Sequence, residues 1–331
     1  VAGYVTAGSF EGNVNTGALT ISEPMDDLDW GGVIGASKVS VVNCENKGSL
    51  TINQQITKAN IGGVVGLTEV SLTNCENHGV LTLGSTNGEY RYTAGIGGVV
   101  GKAAADLTLT NCDNYAAINL TANFSVMRLG GVLGSSQTED PNASVTSMAT
   151  LAKVAMTDCD NYGPITISGK KVTPGSGENT NGPRYGMFYV GGLSGWNTGA
   201  ITNCKNHKSA TITINGGGVL DYGLVASGTN GTETVPATCW AGAFGRKTSS
   251  GGTMYNDADI IIGGVWTNGN TSSDKTKSST DVFIGGIYGN STCSAGTSVN
   301  TGNILIQEGT SFNCGLWIGG VIGRASSSQT G

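Results

Sequence analysis

The chain has 331 residues, of which 55 are glycine and only 6 proline, and it carries a net charge of −6. Glycine in this excess without a Gly-X-Y period excludes collagen, 38% hydrophobic residues exclude simple disorder, and 12% charged residues are too few for the exposed faces of a helical bundle. Basic residues nowhere cluster beyond Lys170-Lys171, so no stripe can displace counterions from a nucleic acid, and no run reaches the ~18 apolar residues of a membrane span.

In chain order, Asn15 to Ile21 ends in an alternating Leu-Thr-Ile strand, and Trp30 then introduces a Gly-Gly-apolar-X-Gly signature, Gly31-Gly32-Val33-Ile34-Gly35. Further copies open at Gly62, Gly97, Gly130, Gly191, Ala241 (degraded to Ala-Gly), Gly285 and Gly319, each preceded by a large apolar residue. Successive copies lie between 31 residues (Gly31 to Gly62) and 61 residues (Gly130 to Gly191) apart. A second signature follows in the first two thirds: Asn43-Cys44-Glu45-Asn46, Asn74-Cys75-Glu76-Asn77, Asn111-Cys112-Asp113-Asn114, Asp158-Cys159-Asp160-Asn161 and Asn203-Cys204-Lys205-Asn206. Segments of period two flank it, such as Val70-Ser71-Leu72-Thr73 before and Val80-Leu81-Thr82-Leu83 after.

The repeat unit is therefore predicted as three short strands, one through the Gly-Gly pair, one entering the Asn-Cys motif and one leaving it. Units of this length cannot bury an apolar face alone, and they suit an all-β fold, a right-handed parallel β-helix (β-solenoid) with variable loop insertions. Four-stranded propeller blades are disfavoured because the shortest copies are short for them. The whole of 1–331 reads as one repeat-built body, with clear repeats over 15–215 and degenerate ones over 216–331. Ser-, Thr-, Asn- and Gly-rich stretches at 135–151, 170–185 and 268–280 read as surface loops.

The glycines are expected where backbones approach closely or where φ is positive, and not as phosphate cradles, because no Lys-Ser/Thr and no helix signal follows them. Asn46, Asn77, Asn114, Asn161 and Asn206 are expected to take a left-handed corner bend and to stack their amides between coils. The cysteines, without any CxxC pair, read as buried free thiols, with partial disulfide stapling as the alternative. The carboxylates Glu45, Glu76, Asp113 and Asp160 give way to Lys205 and read as solvated turn residues, and the Asp26-Asp27-Leu28-Asp29 cluster as a hydrated loop. Neither catalytic, cofactor-binding nor metal-binding residues are assigned. Threonines such as Thr20, Thr51, Thr82, Thr166, Thr211 and Thr213 suggest an outward hydroxyl row like an ice-binding face, but Asn119 breaks it, and β-propensity accounts for them. One column stands out as a possible ligand platform, Lys47, His78, Tyr115, Tyr162 and His207, whose rings would offer flat faces to a sugar or an aromatic partner.

The run Gly-Gly-Val-Val-Gly followed by Leu-Thr-Asn-Cys-Glu-Asn-His-Gly-Val-Leu-Thr resembles GLUG-type repeats of large secreted or surface-anchored bacterial proteins, over about Asn15 to Arg324. The resemblance implies an extracellular or cell-surface location and a structural or adhesive role, binding a glycan or protein ligand or forming a stalk, and it supplies no catalytic residue. A glycan-binding or glycan-cleaving β-helix is the alternative, as is a scaffold subunit meeting a partner through Trp196, Trp240, Trp266 and Trp317. Trp30 and Trp240 also sit in the apolar column expected to be core. No polar cap is evident at either end, so a longer parent chain or end-to-end stacking is expected.

Overall fold

The computed structural model describes residues 2–84, 89–90, 92–136, 152–172, 188–220, 225–228, 231–234, 238–248, 252–268, 281–293 and 296–325. Among them there is no helix, and the strands stack into long parallel sheets, as a parallel β-solenoid. A representative coil runs through Ile56–Gly62, Val65–Thr68, Leu72–Asn77 and Leu81–Leu83. These strands belong to four sheets, numbered here first to fourth in that order. Each residue sits between its equivalents one coil up and one coil down: Ile61 between Trp30 and Ile96, Val65 between Ile34 and Val100, Leu81 between Leu50 and Ile118. The same register continues through the degenerate repeats, where Cys239 pairs with Tyr189 and Phe283, and Ile260–Ile262 with Ile212–Ile214.

The three-strand unit is corrected to four, because the Gly-Gly pair is a corner. Gly62 closes one strand, and the next begins at Val65. Strands this short fit the shortest repeat, so unit length does not argue against a propeller; parallel pairing between consecutive copies does.

The cross-section holds two large apolar cores, with a smaller cluster of Val126, Tyr189, Trp196, Cys239 and Phe283 apart from them. Residues of the first and fourth sheets, including Ile61, Leu81, Leu83, Leu129 and Ile165, form one, and residues of the second and third, including Val65, Leu72, Val100, Leu109 and Leu133, form the other. Glycine makes this division possible. A Cβ on Gly101, the third glycine of its copy, would lie 2.5 Å from the Ile61 backbone nitrogen, so the second sheet packs backbone-on-backbone against the first. The motif glycines all have negative φ, which leaves close approach, not a left-handed bend, as the reason for glycine.

A further short sheet, which the sequence pattern did not suggest, lies between the fourth sheet and the next coil's first sheet. Glu89–Tyr90 pairs with Asn123–Phe124, bridges at Lys171 continue it to Gly218–Leu220, and Val265–Asn268 and Ser311–Phe312 complete it. It widens the later coils, and aromatics fill the added space: Trp240 and Trp266 are fully buried 5.1 Å apart, with Phe188, Phe124 and Phe312 around them. The four-tryptophan partner face is thereby corrected. Trp196 is also buried, between the guanidinium groups of Arg128 and Arg246, and only Trp317 of the four is exposed. Trp30 packs against the core as expected. Most of the expected surface loops, 137–151, 173–185 and 269–280, lies outside the described residues.

Candidate functional site

The outward strip is built on the corner after each cysteine strand, and two asparagines with separate tasks make that corner. The first of each motif carries the left-handed bend: Asn43, Asn74, Asn111, Asp158 and Asn203 have φ between 50° and 53°. The short polar side chains of Asn and Asp tolerate that conformation. The second, expected to bend, is instead extended and wholly inward. Asn46, Asn77, Asn114, Asn161 and Asn206 have no exposed surface and pass one amide hydrogen bond from coil to coil at 2.8–2.9 Å. The ladder also takes in Asn15, Asn256 and Asn300, where the cysteine motif has faded but the asparagine persists in register. Each internal amide is satisfied: Asn46, for example, donates to Asn77 Oδ1 and Gly48 O and accepts from Asn15 Nδ2 and Gly48 N.

Because strand side chains alternate, the residues on either side of each buried asparagine both point outward. One row is acidic, Glu45, Glu76, Asp113 and Asp160, followed by Lys205; the other is Lys47, His78, Tyr115, Tyr162 and His207. The structure brings the four rings into one stack: His78–Tyr115 at 4.6 Å and 3°, Tyr115–Tyr162 at 4.7 Å and 7°, Tyr162–His207 at 3.9 Å and 16°. The inner rings therefore spend both faces on each other and turn their edges to solvent, so the strip does not offer the flat faces that the sequence suggested. Lys47 stands at the end of the row, its Nζ 2.9 Å from Glu45.

The two rows are zipped together. The Tyr115 hydroxyl donates to Asp113 and the Tyr162 hydroxyl to Asp160, each at 3.3 Å. His78 Nε2 lies 2.9 Å from Glu76 and 3.4 Å from Glu45, and His207 Nε2 lies 2.8 Å from Asp160. One coil on, the polarity reverses, with Lys205 in the acid row pairing with Asp257 in the ring row at 2.5 Å; this contact and one from Thr301 hold the Asp257 carboxyl below its usual range.

Asp113 is the member of the acid row least like a solvated turn residue. It is buried, and desolvation raises its carboxyl to about 6, helped by the neighbouring Asp160 and Glu76 charges and opposed by hydrogen bonds from Asp160 N and Tyr115. A carboxyl raised in the folded state makes folding most favourable where the group is protonated, so its contribution declines as pH rises from about 4 through about 6. Asp113→Asn keeps an acceptor for Asp160 N–H and removes the charge. We expect the variant to lose this decline and to be about 1 kcal/mol more stable than wild type at pH 7.5 after allowance for solvent screening. Urea unfolding across pH 4–8 checks this, and a variant that is less stable at pH 7.5 contradicts it.

The remaining sequence candidates do not join the strip. Cys44, Cys75, Cys112, Cys159 and Cys204 point into the second core, each thiol donating to the carbonyl two residues back at 3.3–3.4 Å, and all eight cysteines are free. Burial pushes the Cys239 thiol up to about 12. Asp26, Asp27 and Asp29 lie on a strand, Met25–Gly31, and not in a loop, with Asp26 bonded to Thr57 and Asp29 to Asn60. Thr20, Thr51, Thr82, Asn119, Thr166 and Thr213 form one column of the fourth sheet, which becomes apolar at Ile261 and Leu305.

Fold and strip together define a parallel β-solenoid repeat protein with a polar, ring-stacked outer edge. No protein-family model, curated protein or solved structure matches the chain.

Proposed function

We propose that the protein is an extracellular bacterial surface protein with a structural and adhesive role, resembling GLUG-repeat proteins, and that the ring-and-carboxylate strip is its contact edge for a glycan. The observation that carries the adhesive part is the unbroken stack from His78 to His207, zipped to a parallel row of carboxylates. Ring edges, phenol hydroxyls and carboxylates repeated along a rigid axis are a hydrogen-bonding surface, matched to the hydroxyls of a polysaccharide. Since each hydroxyl–carboxylate pair is already closed, the strip supports binding better than hydrolysis, where a free acid and a free base would flank the scissile bond.

A glycan array probed with the purified chain should show saturable binding. Tyr115→Phe/Tyr162→Phe, which keeps the stack and deletes the hydroxyls, should weaken it by about tenfold. Binding unaffected by that pair, or no glycan bound at all, rejects the strip as the contact edge. Antibody labelling of intact source cells tests location, and labelling only after permeabilisation rejects a surface role.

A further inference from the structure

The geometry points to a divalent transition-metal site formed by Glu45, Glu76 and His78 on two adjacent coils. Their donor atoms lie within 4.8 Å of one another, with His78 Nε2 2.9 Å from Glu76 Oε2 and 3.4 Å from Glu45 Oε1. In a tetrahedral zinc sphere with bonds of about 2.0–2.1 Å, neighbouring ligand atoms stand about 3.3 Å apart, so these three need little movement to share one ion. One imidazole with two carboxylates suits zinc, nickel or copper, and partial exposure leaves a position for water.

Two features of the fold prepare the site. Glu45 and Glu76 are direct register partners in a parallel sheet, which places two like charges about 4.8 Å apart in backbone terms and makes a cation between them favourable. The His78 ring is held parallel to Tyr115, so the direction of Nε2 is set by the stack before any ion arrives.

The same strip contains its own control. His207 is also stacked and also bonded to a carboxylate, Asp160, but the residue two before it is Lys205, an ammonium where the other site has Glu76. The three-donor set exists at His78 and not at His207. Lys47, 2.9 Å from Glu45, competes with the ion for that carboxylate.

Titration of the folded chain with zinc chloride, followed by calorimetry and by the imidazole proton resonances, tests the assignment. We expect one saturable site that moves the His78 signal and leaves His207 unmoved. His78→Gln or Glu76→Gln should weaken binding at least about tenfold, His207→Gln should leave it unchanged, and Lys47→Ala should tighten it several-fold. All four positions are at the surface, and circular dichroism confirms the fold of each variant. No saturable binding, or binding that survives His78→Gln as buried thiols would give, overturns the site.

Discussion

Asn114→Ala will cost about 3–5 kcal/mol, far more than the truncation of a small polar side chain at a surface corner. Asn114 donates to Asn161 Oδ1 at 2.8 Å and Ala116 O at 2.9 Å, and accepts from Asn77 Nδ2 at 2.8 Å. Its loss leaves one N–H of the Asn77 amide and both the N–H and the carbonyl of Ala116 without this partner at a site with no exposed surface, and Asn161 Oδ1 keeps only the Gly163 N–H. Each orphaned group forfeits its desolvation, and water has no path to replace the amide. Asn114→Asp will be worse at neutral pH, since a carboxylate oxygen then faces the Asn161 oxygen and a charge is buried. The aspartate carboxyl would be raised in the folded state, so stability should recover as pH falls and the protonated group regains a donor. Urea unfolding with hydrogen exchange on the coils either side measures both. An Asn114→Ala variant within 1 kcal/mol of wild type would show that the ladder is incidental.

The second large effect is expected at the glycine that the ladder packs against. A Cβ on Gly98 would lie 2.0 Å from Gly131 O and 2.3 Å from Asn114 Cγ, with backbone on one side and a fully bonded amide on the other. Neither can yield without parting two coils, so Gly98→Ala should cost more than about 4 kcal/mol or prevent folding. Gly320 holds the same place in the last copy and has nothing within 4 Å of its Cβ position. Gly320→Ala should therefore be neutral or stabilise by a few tenths of a kcal/mol, because alanine loses less conformational freedom on folding. Equal effects at the two positions would refute close approach as the reason for the motif. Gly98→Ala and Asn114→Ala share a contact, and their combination should cost less than the sum.

These two residues also show why the columns were readable. In a parallel stack, each coil places equivalent residues directly above one another, so aligning the copies of the motif aligns the columns in space. The motif spacing alone therefore groups Lys47, His78, Tyr115, Tyr162 and His207 in one column and marks five of the eight positions of the asparagine ladder. Asn15, Asn256 and Asn300 carry the same signal, an asparagine closing a strand and followed two residues later by Gly17, Ala258 or Gly302. The neighbouring cysteine that marks the other five positions is absent at these three.

What the amino-acid order determined alone is the axis of the molecule: β structure, repetition, parallel stacking and the columns that the clear copies of the motif define. What only the tertiary structure decided is the cross-section. Glycine looks the same in sequence whether it continues a strand or turns a corner, so the fourth strand and the two separate cores became visible only where missing side chains let two sheets touch. Which asparagine bends and which is buried is hidden from period-two patterning, because the left-handed residue interrupts the alternation inside the strand, as Asn74 does in Leu72–Asn77. Tryptophan is equally compatible with a core and a partner surface, and the added sheet resolved Trp240 and Trp266 to the core by widening the coils around them. The ring column was foreseen, but the orientation of its rings was not: a spacing of about 4.8 Å between parallel strands allows aromatic faces to close on one another, and it is their edges that remain to meet a ligand.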